Sequence, residues 1–127
     1  MRIVLTVVIV LLSTAAAQAQ RLKVAVAGKP LVLGKGVSVN PDCSSAGDFV
    51  IRVTSPPSHG SVSIRRAGVY PSFRASNRRS ACNQRRVPGV TAVYVARRGY
   101  TGPDTVGLEY IGPSGSYRES TYNILVR

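Results

Sequence analysis

A chain of 127 residues with 17 lysines and arginines against five acidic residues carries a formal net charge of +12. That length excludes two independent cores, and that charge argues against a calcium centre, which needs several convergent oxygens. Fourteen of the 17 cations are arginine, whose planar guanidinium fork pairs bidentately with phosphate and carboxylate, so the balance points to an anionic partner.

Met1-Arg2, the ten-residue run Ile3 to Leu12 and the small-x-small site Ala17-Gln18-Ala19 have the order of a secretory leader. Cleavage is expected after Ala19, leaving residues 20–127 as one domain in the periplasm or outside the cell. A spanning anchor would want about 20 apolar residues. No cysteine follows the cleavage site to carry a lipid.

Arg21 to Val26 alternates basic and apolar residues, the pattern of a strand with one wet face, and Gly28-Lys29-Pro30 ends it. Leu31 to Val39 reads as a second strand or a pair of short strands, with a bulge or bend at Gly34 and Gly36. Asn40 to Ser45 is rich in turn residues. Asp48 to Thr54 alternates again, with Phe49, Ile51 and Val53 facing inward. The turn Ser55-Pro56-Pro57-Ser58-His59-Gly60 leads to Ser61–Arg66, with Val62 and Ile64 on the buried face. Val69 to Phe73 reads as a short strand that Pro71 confines to an edge.

From Arg74 to Gly89 apolar periodicity fails, and five arginines, Arg74, Arg78, Arg79, Arg85 and Arg86, occur without an acid. A loop this long inside one domain is usually functional or mobile. Val90 to Arg97 resumes the strand pattern, placing Tyr94 and Ala96 on one face. Gly99-Tyr100-Thr101-Gly102-Pro103-Asp104 is a tight loop: Gly99 and Gly102 can take positive φ, Tyr100 can plug the loop with its hydroxyl on a backbone group, and Asp104 can accept backbone N–H bonds. Val106, Leu108 and Tyr110 then share a face, as do Tyr122, Ile124 and Val126 in the last strand, Tyr117 to Val126. Seven or eight short strands and no helical period predict an antiparallel sandwich.

Cys43 and Cys82 are the only cysteines. In an oxidising compartment they are expected to form a disulfide, which closes a loop of about 40 residues and contributes up to about 4 kcal/mol on the chain-entropy account. A redox or metal pair would want C-x-x-C spacing or companion histidines.

The segments Pro57-x-His59-Gly60-x-Val62 and Gly99-Tyr100-x-Gly102-x-Asp104-x-Val106, followed by Tyr110, resemble the P-x-H-G-x-V and G-[FY]-x-G-x-D motifs of bacterial immunoglobulin-like and cadherin-like domains of exported proteins. The resemblance covers roughly residues 40 to 127. It implies an immunoglobulin-like β-sandwich in which His59, Gly60, Gly99, Tyr100, Gly102 and Asp104 are structural. Such domains serve as spacers, adhesins and binding appendages, so the fold alone does not choose a function.

His59 is the sole histidine and falls in that structural turn, and the sequence holds no nucleophile elbow, phosphate loop or paired metal motif. No enzyme, cofactor or metal is expected. The arginine doublets exceed what folding needs. The favoured expectation is a non-catalytic module using Arg74, Arg78, Arg79, Arg85 and Arg86 on an anionic envelope partner: an acidic polysaccharide, lipopolysaccharide or an acidic protein surface, with nucleic acid a lesser candidate. Tyr70, Phe73 and Tyr94 are candidates for stacking. The alternative is a structural or interaction domain of an envelope complex, pairing through a strand edge, with the arginines serving solubility.

Overall fold

The computed structural model describes residues 20–127, so the expected leader, residues 1–19, lies outside the described residues. Seven strands follow in the order β1 (Gln20–Ala25), β2 (Pro30–Gly36), β3 (Val50–Ser55), β4 (Gly60–Val69), β5 (Val87–Ala96), β6 (Gly102–Ile111) and β7 (Tyr117–Val126), with a short 3₁₀ helix at Ser80–Gln84. They form two sheets, ordered β1-β7-β6-β3 and β2-β5-β4, packed as a β-sandwich.

Alternation along β5, β6 and β7 builds the core. Ala92, Tyr94 and Ala96 from one sheet meet Val106, Leu108, Tyr110, Tyr122, Ile124 and Val126 from the other, all buried. A buried phenol needs a polar partner. The Tyr110 and Tyr122 hydroxyls bond to each other at 2.5 Å, and Gly34 makes room for them, because a Cβ there would stand 2.0 Å from the Tyr110 hydroxyl. The expected irregularity at Gly34 is a register shift between Val32 and Gly34 against β5.

Several local expectations are corrected. Val69 to Phe73 is not a separate strand: β4 runs on to Val69 in unbroken register with β5, from Gly60↔Ala96 to Val69↔Val87. That pairing draws Val87–Gly89 into β5, while Pro71, which has no N–H for a ladder, lies beyond the sheet. Val53 and Ile64, expected to be buried, are each 37% exposed, because β3 and β4 are the outer strands of their sheets and β3 shifts register between Val53 and Ser55.

The sandwich is also not wholly antiparallel, since β1 pairs parallel with β7. These strands come from opposite ends of the described chain, so no tight turn imposes an antiparallel pair. The same register inverts the expected faces of β1. Arg21, Lys23 and Ala25 stand opposite Tyr122, Ile124 and Val126, on the core side, while Leu22, Val24 and Val26 are 79%, 49% and 51% exposed.

Candidate functional site

The two motifs that are far apart in sequence meet at one end of the sandwich. The Asp104 carboxylate accepts from the backbone N–H of Ser58 at 3.0 Å, of His59 at 3.1 Å and of Thr105 at 2.9 Å, and from the Tyr94 hydroxyl at 2.7 Å. The His59 ring stacks on Tyr100, with centroids 4.0 Å apart and planes 7° from parallel. Its carbonyl accepts from the Arg97 N–H, and the Tyr100 hydroxyl donates to the Pro103 carbonyl at 2.5 Å. Gly99 and Gly102 take the positive φ values, 83° and 129°, that the turn demands.

Four donors occupy the roughly four lone-pair sites of the carboxylate. Burial pushes Asp104 up, and the Tyr94 hydroxyl with the three N–H groups outweighs it, holding the carboxyl below its usual range. Burial, then the adjacent carboxylate, pushes the Tyr94 phenol up. The constellation is a clasp between the β3–β4 and β5–β6 turns, and its polar atoms are engaged in holding them.

The arginine loop is folded on a small core of its own. Cys43 and Cys82 form a disulfide with Cα atoms 5.4 Å apart, and Cys82 packs with Val39 and Val87, against which Val37, Cys43 and Phe73 also lie. The Asn83 side chain clamps Phe73 by accepting from its N–H and donating to its carbonyl, both at 2.8 Å. Successive backbone bonds from Asn77 to Arg74, Ser80 to Asn77, Cys82 to Arg79 and Arg85 to Cys82 wind the segment into linked turns. Only a few apolar residues point into this small core, which is why the segment shows no periodicity.

The five arginines divide by task. Arg79 Nε donates to the Val39 carbonyl at 2.7 Å, and the Arg86 guanidinium donates to the Gly68 carbonyl at 3.3 Å. They line different grooves, Arg79 beside Phe73 and Asn77, Arg86 beside Arg66 and Asp48. Arg74, Arg78 and Arg85 are exposed, and among the described residues their side chains make no hydrogen bond or ion pair. Of the stacking candidates, Tyr94 is fully buried in the main core and cannot reach a ligand, whereas Tyr70 is 53% exposed and Phe73 is partly buried under the loop.

Asp42 and Asp48 do not converge. Asp42 accepts from the Ser44 N–H and hydroxyl, which holds its carboxyl below the usual range, and Asp48 pairs with Arg66 at 3.1 Å. Among the described residues no three His, Cys, Asp or Glu side chains are grouped to hold a metal. No helix of the described residues is long and apolar enough to cross a membrane.

One cluster escaped the sequence reading. Arg21, Lys23, Lys35 and Arg118 line a single cleft of about 800 Å³ between the sheets. They come from three strands and would have been found only by knowing that β1 turns its basic face inward.

No family model matches the chain, and no curated protein matches it. Among solved structures, the chain is similar to the solution structure of Amebosin, with 14% identity over 88% of this chain and 100% of that chain, at a TM-score of 0.44. A likeness this distant has no bearing on function.

Proposed function

We propose that the chain is an exported, non-catalytic binding module of the immunoglobulin-like class that holds an anionic envelope partner on its arginine loop. The strand arrangement supports the class. Lettered A to G in chain order, β2, β5 and β4 stand as B-E-D and β7, β6 and β3 as G-F-C, the two halves of an immunoglobulin-like sandwich. The first strand differs from the constant-type pattern by joining the G edge. The Cys43–Cys82 disulfide supports folding in an oxidising compartment.

The observation that carries the binding reading is the loop itself: five guanidinium groups and no carboxylate on a segment fixed by a disulfide, the Asn83 clamp and a small core. Fixing the loop in advance lowers the ordering cost of binding, and binding loops are characteristically carried on rigid scaffolds. Arg74, Arg78 and Arg85 are the contact cations, while Arg79 and Arg86 brace the loop.

The test is binding of the disulfide-intact protein to immobilised lipopolysaccharide, an acidic polysaccharide and an acidic protein, beside the triple variant Arg74→Ser, Arg78→Ser, Arg85→Ser. The expected result is retention of the wild type on at least one polyanion and loss in the variant. Equal, weak retention of both would return the arginines to a solubility role and favour a strand-edge interaction domain.

A further inference from the structure

The cleft between β1 and β2 holds a second and independent feature. Its walls carry Arg21 and Lys23 from β1, Lys35 from β2 and Arg118 from β7, and among the described residues no carboxylate lines it. Tyr110 and Tyr122, each 2% exposed, also line it. Two of the cations are held in place: Lys35 Nζ donates to the Tyr70 carbonyl, and the Arg118 guanidinium lies over the Tyr110 ring, 4.5 Å from its centroid. The four cations offer donors, and Phe49 and Phe73 add aromatic surface.

The orientation of β1 makes this arrangement costly for folding alone. Shifting a strand by one residue exchanges its faces, and such a shift would turn Leu22 and Val24 inward, away from water. The observed register instead exposes both and directs Arg21 and Lys23 inward. Inward-pointing charges can protect an edge strand from pairing with other chains. That accounts for Arg21 and Lys23, and for Lys35, since β1 and β2 are edges. Arg118 stands where β7 runs past the described start of β1 and pairs with β6 alone, and its guanidinium is held over the Tyr110 ring in the same cleft.

We infer that this cleft is a binding site for an acidic oligosaccharide, whose sugar units carry a carboxylate or a sulfate. The volume lies within the range of about 300–1,000 Å³ typical of ligand sites. The four cations take the anionic and hydroxyl oxygens, and the aromatic surface takes the apolar faces of the sugar rings. An acidic peptide fits less well. It would bind an edge through a backbone ladder, and β2 is bulged between Val32 and Gly34 against β5, which breaks the regular spacing of groups along that strand. The site is distinct from the arginine loop and does not depend on it.

The experiment is titration of the isotope-labelled, disulfide-intact protein with four probes: a galacturonate tetramer, its neutral methyl ester, a sulfated tetrasaccharide and tetraglutamate. Amide shifts report the site, and variants carrying Lys35→Ser with Arg118→Ser, or Lys23→Ser alone, report its cations. The expected result is that one or both acidic saccharides shift Gly34, Tyr110 and Tyr122. The double variant should weaken that binding at least tenfold and Lys23→Ser about threefold, while the Arg74, Arg78, Arg85 variant stays within twofold of wild type. Spectra unchanged away from the cleft show that the variants fold. The inference is overturned if the methyl ester or tetraglutamate binds as tightly as the acidic saccharides. Absence of binding by either acidic saccharide at millimolar concentration, or an equal loss in the loop variant, would also overturn it.

Discussion

Asp104 ties two turns that are more than 40 residues apart, and its removal leaves three backbone N–H groups and the Tyr94 hydroxyl without an acceptor. Asp104→Ala is expected to cost about 3 kcal/mol, on the scale of hydrogen bonds to charged groups and of buried donors left unmade. A urea titration at neutral pH measures it. Because the folded state holds this carboxyl below its usual range, ionised Asp104 stabilises the fold above the carboxylate range of an unfolded chain, near pH 4. That contribution is lost as pH falls through the lower folded value. The stability gap between wild type and Asp104→Asn should therefore narrow from neutral pH towards about pH 3. A gap that widens on acidification would contradict the assignment. A second residue-scale prediction concerns Gly34→Ala, whose Cβ would strike both tyrosine hydroxyls. It should cost about 2 kcal/mol by overpacking, read from the same urea transition. The role of Asp104 as a turn acceptor was legible from its glycine-rich setting; its reach to Ser58 and His59 is a contact between distant segments that nothing in the local sequence marks.

Among the elements, β6 and β7 were legible because each turns one apolar face to the core, so period assigns Leu108 and Ile124 to it, whereas β5 carries Val93 and Val95 on its other face and left Tyr94 a candidate for stacking. The β1 strand shows the limit of that logic: its alternation is clear, yet the side that faces the core is set by register with β7, 101 residues away in sequence. The segment after β4 failed for another reason. Its order derives from one disulfide, one asparagine clamp and a few apolar contacts, none of which leaves a periodic trace. Replacing both Cys43 and Cys82 by serine should lower stability by up to about 4 kcal/mol. It should also weaken polyanion binding by loosening the loop, and calorimetric unfolding beside a binding curve would separate the two effects.

For the whole molecule, an excess of 17 basic over five acidic side chains was plain in the composition, but its spatial division was not. The fold sorts the cations into loop braces such as Arg79 and Arg86, solvent-facing groups such as Arg74, Arg78 and Arg85, and the inter-sheet set of Arg21, Lys23, Lys35 and Arg118. Composition reports a sum, whereas binding depends on which charges share a surface. The central claim is that exposed loop arginines contact a polyanion, and its most direct measurement is the affinity for the polyanion that retains the protein, followed against salt for wild type and the Arg74, Arg78, Arg85 serine variant. Each lost phosphate-like contact removes about 0.7–0.9 from the slope of log affinity on log salt, so the account predicts a slope shallower by about 2 in the variant. Equal slopes and equal affinities for the two proteins would contradict it.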